Sequence, residues 1–211
     1  KKYKNILFFK IKYQKFKKII KINNKEFFKT RVNREKKYTI FLDIAAPFHF
    51  DQIKNGFKPI NYKYYYSKIN KLFSQISKIS KTRIIIFPHP KYYKHTKYFS
   101  KKFKVVKKNQ DLYLKKSKLV LLHHTSSIFK AINFKIKILQ IQSLKFNNFI
   151  WTYNNFFKKK YKLDDIYLEE NNANKIKKKV SKLSRFYKEI EFDDKVDNLN
   201  LISKHIFPNE K

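Results

Sequence analysis

Between residues 38 and 141, short blocks of apolar residues alternate with longer stretches in which apolar positions recur every three or four residues. The blocks are YTIFLDI (Tyr38 to Ile44), RIIIF (Arg83 to Phe87), LVLL (Leu119 to Leu122) and ILQI (Ile138 to Ile141). Runs this short, rich in Val, Leu, Ile and aromatic residues, suit strands buried on both faces of a sheet. Between the first two, Tyr64 to Ile79 carries apolar residues at 65, 66, 69, 72, 73, 76 and 79, the stripe of an amphipathic helix. Ile128, Phe129, Ala131 and Ile132 repeat that spacing between the last two blocks. Phe103 to Val106 predicts an edge strand, and Gln110 to Lys116 a short helix capped by Asn109. Pro47 holds the loop after the first strand, Gly56 and Pro59 mark another, and Pro88-His89-Pro90 stops the second strand. Alternation of strand and helix predicts an α/β fold, an open Rossmann-like parallel sheet with helices on both faces.

Outside this core the pattern changes. Residues 1–37 mix lysines with apolar residues at no clean period, which fits a segment lying on an anionic membrane surface or the end of a preceding domain. From Asn147 onward Trp151, Tyr153, Phe156 and Phe157 form an aromatic cluster, with Trp151 expected in the core. Asn174 to Glu191 reads as an amphipathic helix with Ile176, Val180, Leu183 and Phe186-Tyr187 on one side, and Asn198 to Lys211 as a further short helix ending at Pro208. The expected organisation is a basic segment over 1–37, a nucleotide-binding domain over 38–150, and the aromatic cluster with terminal helices over 151–211.

Composition adjusts this picture in two ways. The 211 residues carry a net charge of +37, which favours polyanionic partners. Only four of the 52 basic residues are arginine, however, whereas proteins that read nucleic acids lean on arginine for bidentate contacts. Lys, Asn, Ile, Phe and Tyr are enriched together and glycine occurs once, as codon bias in a very AT-rich genome would impose. The lysines are also spread along the whole chain, which disfavours a dedicated nucleic-acid or membrane-binding protein, the alternative reading. Cysteine is absent, so neither disulfides nor thiolate metal sites are available. No apolar run approaches the roughly 18–20 residues of a membrane-spanning helix, and no signal peptide is visible, so a cytoplasmic protein, or one at the inner face of the membrane, is expected. The chain starts at Lys1 without methionine, which fits a trimmed start or a fragment.

Chemistry concentrates in two turns that follow strands, Pro88-His89-Pro90-Lys91 and His123-His124-Thr125-Ser126-Ser127. In an open parallel sheet such turns converge on one crevice at the carboxyl ends of the strands. His89 and Lys91 offer charge-assisted hydrogen bonds, and the second turn offers hydroxyls and helix N–H groups, a set suited to a nucleotide phosphate. Thr125, Ser126 and Ser127 serve equally well as plain helix caps, and His89 as a brace for a rigid turn. His123 and His124 point to opposite faces if the strand continues through them, so at most one meets the crevice. Asp43 reads better as a loop cap than as a catalytic group. The pairs Asp164-Asp165 and Glu169-Glu170 read as a solvated face, and no clustered spacing argues for a metal.

RIIIFPHPK, followed about thirty residues later by KLVLLHHTSSIFKAINFKIKILQI, resembles the nucleotide-binding half of GT-B glycosyltransferases of bacterial surface-carbohydrate synthesis, among them sialyltransferases and capsule enzymes. FLDIAAPFHFD with YYYSKINKLF is similar to a segment of surface-carbohydrate biosynthesis proteins. The resemblance covers residues 38–145 and implies a nucleotide-sugar donor, CMP-linked by analogy, a glycan or lipid-linked acceptor, and no cofactor. It implies that His89 contacts the donor phosphate or ribose, and that Ser126 and Ser127 contact the phosphate; Pro90, Lys91, His124 and Thr125 complete the expected substrate-binding set. His49 and Asp51 would line the cleft toward a second domain. Two departures stand out: His123-His124 replaces a single His or a small residue, and Phe50 replaces a usual Pro. Members of this class carry the catalytic base on an N-terminal domain that is not recognisable in this chain, which leaves a donor-binding half, or a degenerate relative without catalysis, as the expected extent.

Overall fold

A computed structural model describes residues 36–182. Six parallel strands form one sheet: β1 (Tyr38–Leu42), β2 (Arg83–Phe87), β3 (Lys104–Val105), β4 (Ser117–Leu122), β5 (Lys137–Gln142) and β6 (Asp164–Tyr167). Their spatial order is β3-β2-β1-β4-β5-β6. The chain builds outward from β1 to one edge, returns, and builds to the other, so the order reverses between β1 and β4. This is the doubly wound Rossmann-type arrangement, as the strand-helix alternation predicts.

Alternation of side chains between two buried faces explains why the central strands are mainly apolar, with buried Thr39, Gln140 and Gln142 as the polar exceptions. Phe41, Ile84, Ile86, Leu119, Leu121, Leu139, Ile141 and Ile166 belong to the core on one face, while Ile40, Leu42, Ile85, Phe87, Val120, Leu122 and Ile138 belong to the core on the other. The first face is covered by α2 (Tyr62–Ser80) and α6 (Ala173–Lys182), the second by α3 (Gln110–Lys115) and α4 (Ile128–Asn133); α5 (Asn148–Tyr161) joins the second core through Phe157 and Tyr161 and reaches the first through Phe149 and Ile150 at its amino-terminal end. In α2 the expected stripe is the buried one, Tyr65, Tyr66, Ile69, Leu72, Phe73 and Ile76, and Asn61 Oδ1 caps the helix by accepting from Tyr64 N at 3.1 Å.

Several local expectations are corrected. The loop after β1 contains a 3₁₀ turn (Ala46–Phe48) and a short helix, α1 (Phe50–Lys54), and Pro90–Tyr98 is 3₁₀ with a kink at Tyr92. Asn109 precedes α3 in a left-handed conformation and makes no side-chain cap. Asp164-Asp165 opens β6: Asp164 is exposed, as a solvated face requires, but Asp165 is drawn in and pairs with Lys158 at 2.6 Å and Lys179 at 3.3 Å. Glu169 likewise accepts from Tyr64 Oη at 2.9 Å and Ser143 Oγ at 2.6 Å, joining α2 to the end of β5. Trp151 is half-buried against the core. The boundary expected at residue 150 falls inside α5, and β6 continues the same sheet. The segment over 1–37, except its last two residues, the end of the helix expected at 174–191, and the short helix expected at 198–211 lie outside the described residues. No helix among the described residues is long and apolar enough to cross a membrane.

Candidate functional site

Three loops meet at the carboxyl ends of β1, β2 and β4, beside the point where the strand order reverses. The β1 loop is bent by Ala45, whose backbone is left-handed at φ 52°, and Asp43 holds that bend by accepting from Ala45 N at 2.8 Å. Asp43 therefore acts as the loop cap its position suggests. Fully buried Gln52 then ties the loop down: Nε2 donates to Ala46 O, and Oε1 accepts from Asn147 Nδ2 at 2.9 Å at the start of α5. Phe50 N donates to Tyr92 Oη at 2.7 Å, linking this loop to the one after β2.

The bends bring three histidines together. The His49 ring lies 6.3 Å from His89, 6.2 Å from His124, 6.3 Å from Tyr92 and 6.0 Å from Phe149. His124 stacks on Tyr153 at 5.1 Å. Asp51, exposed in the first turn of α1, sits close enough to act electrostatically on His49, His89 and Tyr153, and Lys91 acts on both His49 and His89. The buried Nδ1 of His49 has no hydrogen-bond partner among the described residues, a polar orphan in the cluster.

Electrostatics change the expected division of labour. Burial lowers the pKa of His49 and His89, with Asp51 pulling both the other way, and burial brings His124 down to about 3. The crevice histidines are thus neutral near pH 7. Of the groups expected to make charge-assisted bonds, Lys91 alone carries charge, while His89 donates as a neutral imidazole. His89 Nδ1 accepts from Lys91 N at 3.3 Å, which puts the His89 proton on Nε2. Pro90 begins the 3₁₀ segment and is exposed.

The serine turn also differs from expectation. Ser127 is the N-cap of α4 but its side chain caps nothing, because its backbone is already helical at φ −67°, ψ −7°. Thr125 Oγ1 accepts from Ser127 N at 3.3 Å, and the amides of Ile128, Phe129 and Lys130 bond to the carbonyls of Thr125, Ser126 and Ser127. The helix N–H groups expected to seat a phosphate are therefore used within the turn of a six-residue helix, and the Thr125, Ser126 and Ser127 hydroxyls are the side-chain donors it offers.

His123 and His124 divide as strand geometry requires. His123 is wholly buried, with Nδ1 2.8 Å from Ile141 O and Nε2 2.8 Å from Tyr65 Oη; a carbonyl only accepts, so Nδ1 holds the proton and Tyr65 donates. His124 turns to the crevice. Behind it stands a buried carboxamide set, Gln140, Gln142 and Asn154, that sequence reasoning passed over. Its one visible signal is two glutamines at alternate positions of an otherwise apolar strand.

A second concavity, about 420 Å³, opens at the amino-terminal ends of β1, β2 and β3, lined among others by Tyr38, Lys78, Arg83, Lys102, Lys104 and Tyr113. Open parallel sheets bind ligands at the other end, so the crevice of histidines is the stronger candidate. Among the described residues no group of three or more His, Cys, Asp or Glu side chains is arranged to hold a metal.

No protein-family model and no curated protein matches the chain. Solved structures with a similar arrangement include the UDP-GlcNAc 2-epimerase of Methanocaldococcus jannaschii in complex with UDP-GlcNAc and UDP, at 16% identity and a TM-score of 0.49, over 74% of this chain and 41% of that one. They also include the spinosyn rhamnosyltransferase SpnG with spinosyn aglycone, at 11% identity and a TM-score of 0.39, over 74% and 37%. A third is the glycosyltransferase SnogD of Streptomyces nogalater, at 10% identity and a TM-score of 0.35, over 75% and 43%. The matched region spans about two-fifths of the length of these proteins.

Proposed function

We propose that this chain is the donor-binding half of a glycosyltransferase-like protein of surface-polysaccharide synthesis, and that the crevice takes a nucleotide-activated sugar. The observation that supports this most is the convergence of the β1, β2 and β4 loops where the strand order reverses, with His49 within 6.3 Å of both His89 and His124. Aromatic walls from Tyr92, Phe149 and Tyr153 suit a base or sugar ring, and Lys91, His89 Nε2–H and the Ser126 and Ser127 hydroxyls suit phosphate oxygens. In the transfer itself, the acceptor oxygen bonds to the anomeric carbon as the carbon–oxygen bond to the phosphate breaks, and the electron pair leaves on the phosphate. Lys91 and the neutral donors stabilise that leaving group, while the base that takes the acceptor proton belongs to a second domain in this reading. The sequence resemblance favours a CMP-linked donor and a glycan or lipid-linked acceptor, with a cytoplasmic location at or near an anionic membrane.

Calorimetry of CMP, UDP and GDP at moderate salt, with the wild type and His89→Ala, tests the reading. One nucleotide should bind selectively and lose roughly tenfold or more in the variant, the scale of a hydrogen bond to a charged group. Equal binding of all three, abolished by salt and unchanged in His89→Ala, would instead favour simple polyanion binding. The basic pocket at the opposite end of the sheet is the feature that supports this second reading: Lys78, Arg83, Lys102 and Lys104 make no ion pair among the described residues.

A further inference from the structure

The carboxamides behind His124 settle where its proton sits. Gln140 Nε2 donates to two main-chain carbonyls, His123 O at 2.7 Å and Asn154 O at 3.0 Å, so the nitrogen end of that amide is unambiguous. Its Oε1 accepts from Gln142 Nε2 at 3.3 Å. Gln142 Oε1 accepts from Asn154 Nδ2 at 2.8 Å, and the same nitrogen lies 3.4 Å from Ile141 O. Asn154 has only Oδ1 left, and it faces His124 Nδ1 at 2.9 Å. An amide oxygen cannot donate, so Nδ1 must.

In the neutral ring, Nε2 is then a bare lone pair. The opposite tautomer would set a lone pair against Asn154 Oδ1. Reversing the amides to relieve that contact would end with Gln140 Oε1 against two carbonyl oxygens, all of it buried. Among the described residues no group bonds to His124 Nε2, and the ring opens on the same crevice as His49 and His89. His89 has the reverse polarity, since its Nδ1 accepts from Lys91 N. One imidazole gives a proton to the ligand, and the other can only receive one.

We propose that His124 Nε2 accepts a hydrogen bond from a ligand hydroxyl, so that the crevice reads a hydroxyl of the nucleotide sugar, on the ribose or on the transferred sugar, next to the phosphate contacts of His89 and Lys91. A phosphate oxygen, which has no proton to give, is excluded from this position. The inference rests on the nucleotide-sugar reading for its ligand, and on the amide chain alone for its polarity. Asn154, Gln142 and Gln140 are positioning residues, acting through His124.

Two measurements on the full chain test it separately. Nitrogen NMR of protein labelled at histidine, with His124→Phe to assign the signals, should show His124 Nε2 as an unprotonated imidazole nitrogen and Nδ1 as protonated. A protonated Nε2 near pH 7 overturns the inference whatever the ligand. Calorimetry then compares CMP and UDP with their 2′-deoxy and 3′-deoxy forms, and with CMP- and UDP-sugars. In the wild type, loss of the recognised hydroxyl should weaken binding roughly three- to tenfold, the value of one neutral hydrogen bond, and that difference should vanish in His124→Phe, which keeps the ring stacked on Tyr153. A deoxy effect identifies the ribose as the source; a gain seen only with nucleotide sugars and lost in His124→Phe identifies the transferred sugar. Equal affinities throughout, in both proteins, overturn the hydroxyl contact. Failure of every probe to bind overturns the nucleotide-sugar reading and the ligand named here, with the tautomer then judged by the nitrogen spectrum alone.

Discussion

Asp43 and the buried histidines titrate against one another. Burial pushes the Asp43 carboxyl up to about 7 from 3.8, despite the Ala45 and Ile44 amides that favour its charged form. Between those values the folded chain holds a proton that the unfolded chain releases, so this group's contribution to stability falls as pH rises. Burial brings His123 down to about 4 and His124 to about 3 from 6.5, so over much of the same range the unfolded chain holds the extra protons and stability rises with pH. The imidazoles outnumber the carboxyl, and urea midpoints should climb between pH 5 and 6. Asp43→Asn removes the opposing proton and should steepen that climb by about 1.4 kcal/mol per pH unit. Parallel profiles for the two proteins would show that Asp43 is not a neutral buried acid. The capping role of Asp43 is legible in the sequence because it is local, two residues from its amide partner. Its raised pKa is not, because it depends on α2 packing over it. The alternation of His123 and His124 is legible for the same local reason, but the face each takes is decided by Tyr65 and Asn154, 58 and 30 residues away.

At the scale of elements, scarcity of glycine leaves a mark. The helices α2 and α5 both end on a left-handed lysine, Lys81 at φ 52° and Lys162 at φ 48°, where glycine usually stands. A side chain in that conformation costs about 1 kcal/mol. Both lysines are exposed, and neither side chain makes a hydrogen bond or ion pair among the described residues. Lys81→Gly and Lys162→Gly should therefore each raise stability by roughly 0.5–1 kcal/mol, less than the full strain because glycine also frees the unfolded chain. The two gains should add, since the helix ends are independent. Urea unfolding of the two single variants and the double variant checks this, and a loss of stability in either single would show that its lysine is not strained. The central strands and α2 are legible because burial on both sides, or on one stripe, writes itself directly into the pattern of apolar residues. Strand β6 is not, since Asp164-Asp165 at its start breaks the apolar run and Ile166 is its one fully buried residue. Likewise the caps expected of Asn109 and Ser127 fail because backbone conformation, which residue type does not specify, has turned each side chain away from the helix end.

The whole molecule sets a concentrated positive field around a fold that is otherwise assembled by apolar packing on two faces of one sheet. With a net charge of +37 on 211 residues, most lysines have no carboxylate to meet. Ion pairs among the described residues include Asp111 with Lys130, and Asp165 with Lys158 and Lys179. Repulsion among the remainder weakens the compact state, and salt relieves it by shortening the screening distance from about 30 Å at 10 mM to about 8 Å at 150 mM. The thermal midpoint should accordingly rise with sodium chloride across that range, by about 2–4 °C for each kcal/mol of repulsion removed. An anion seated in the histidine crevice would stabilise by a different route, saturating with its own concentration, and His89→Ala would reduce it while leaving the chloride effect intact. Titrating sodium chloride and then CMP at fixed ionic strength separates the two. A midpoint that falls with salt would mean that attractive pairs outweigh the lysine field. A CMP effect that merely tracks ionic strength, equal in wild type and His89→Ala, would place the anion on the surface at large, and the carboxyl end of the sheet would lose its claim to the ligand.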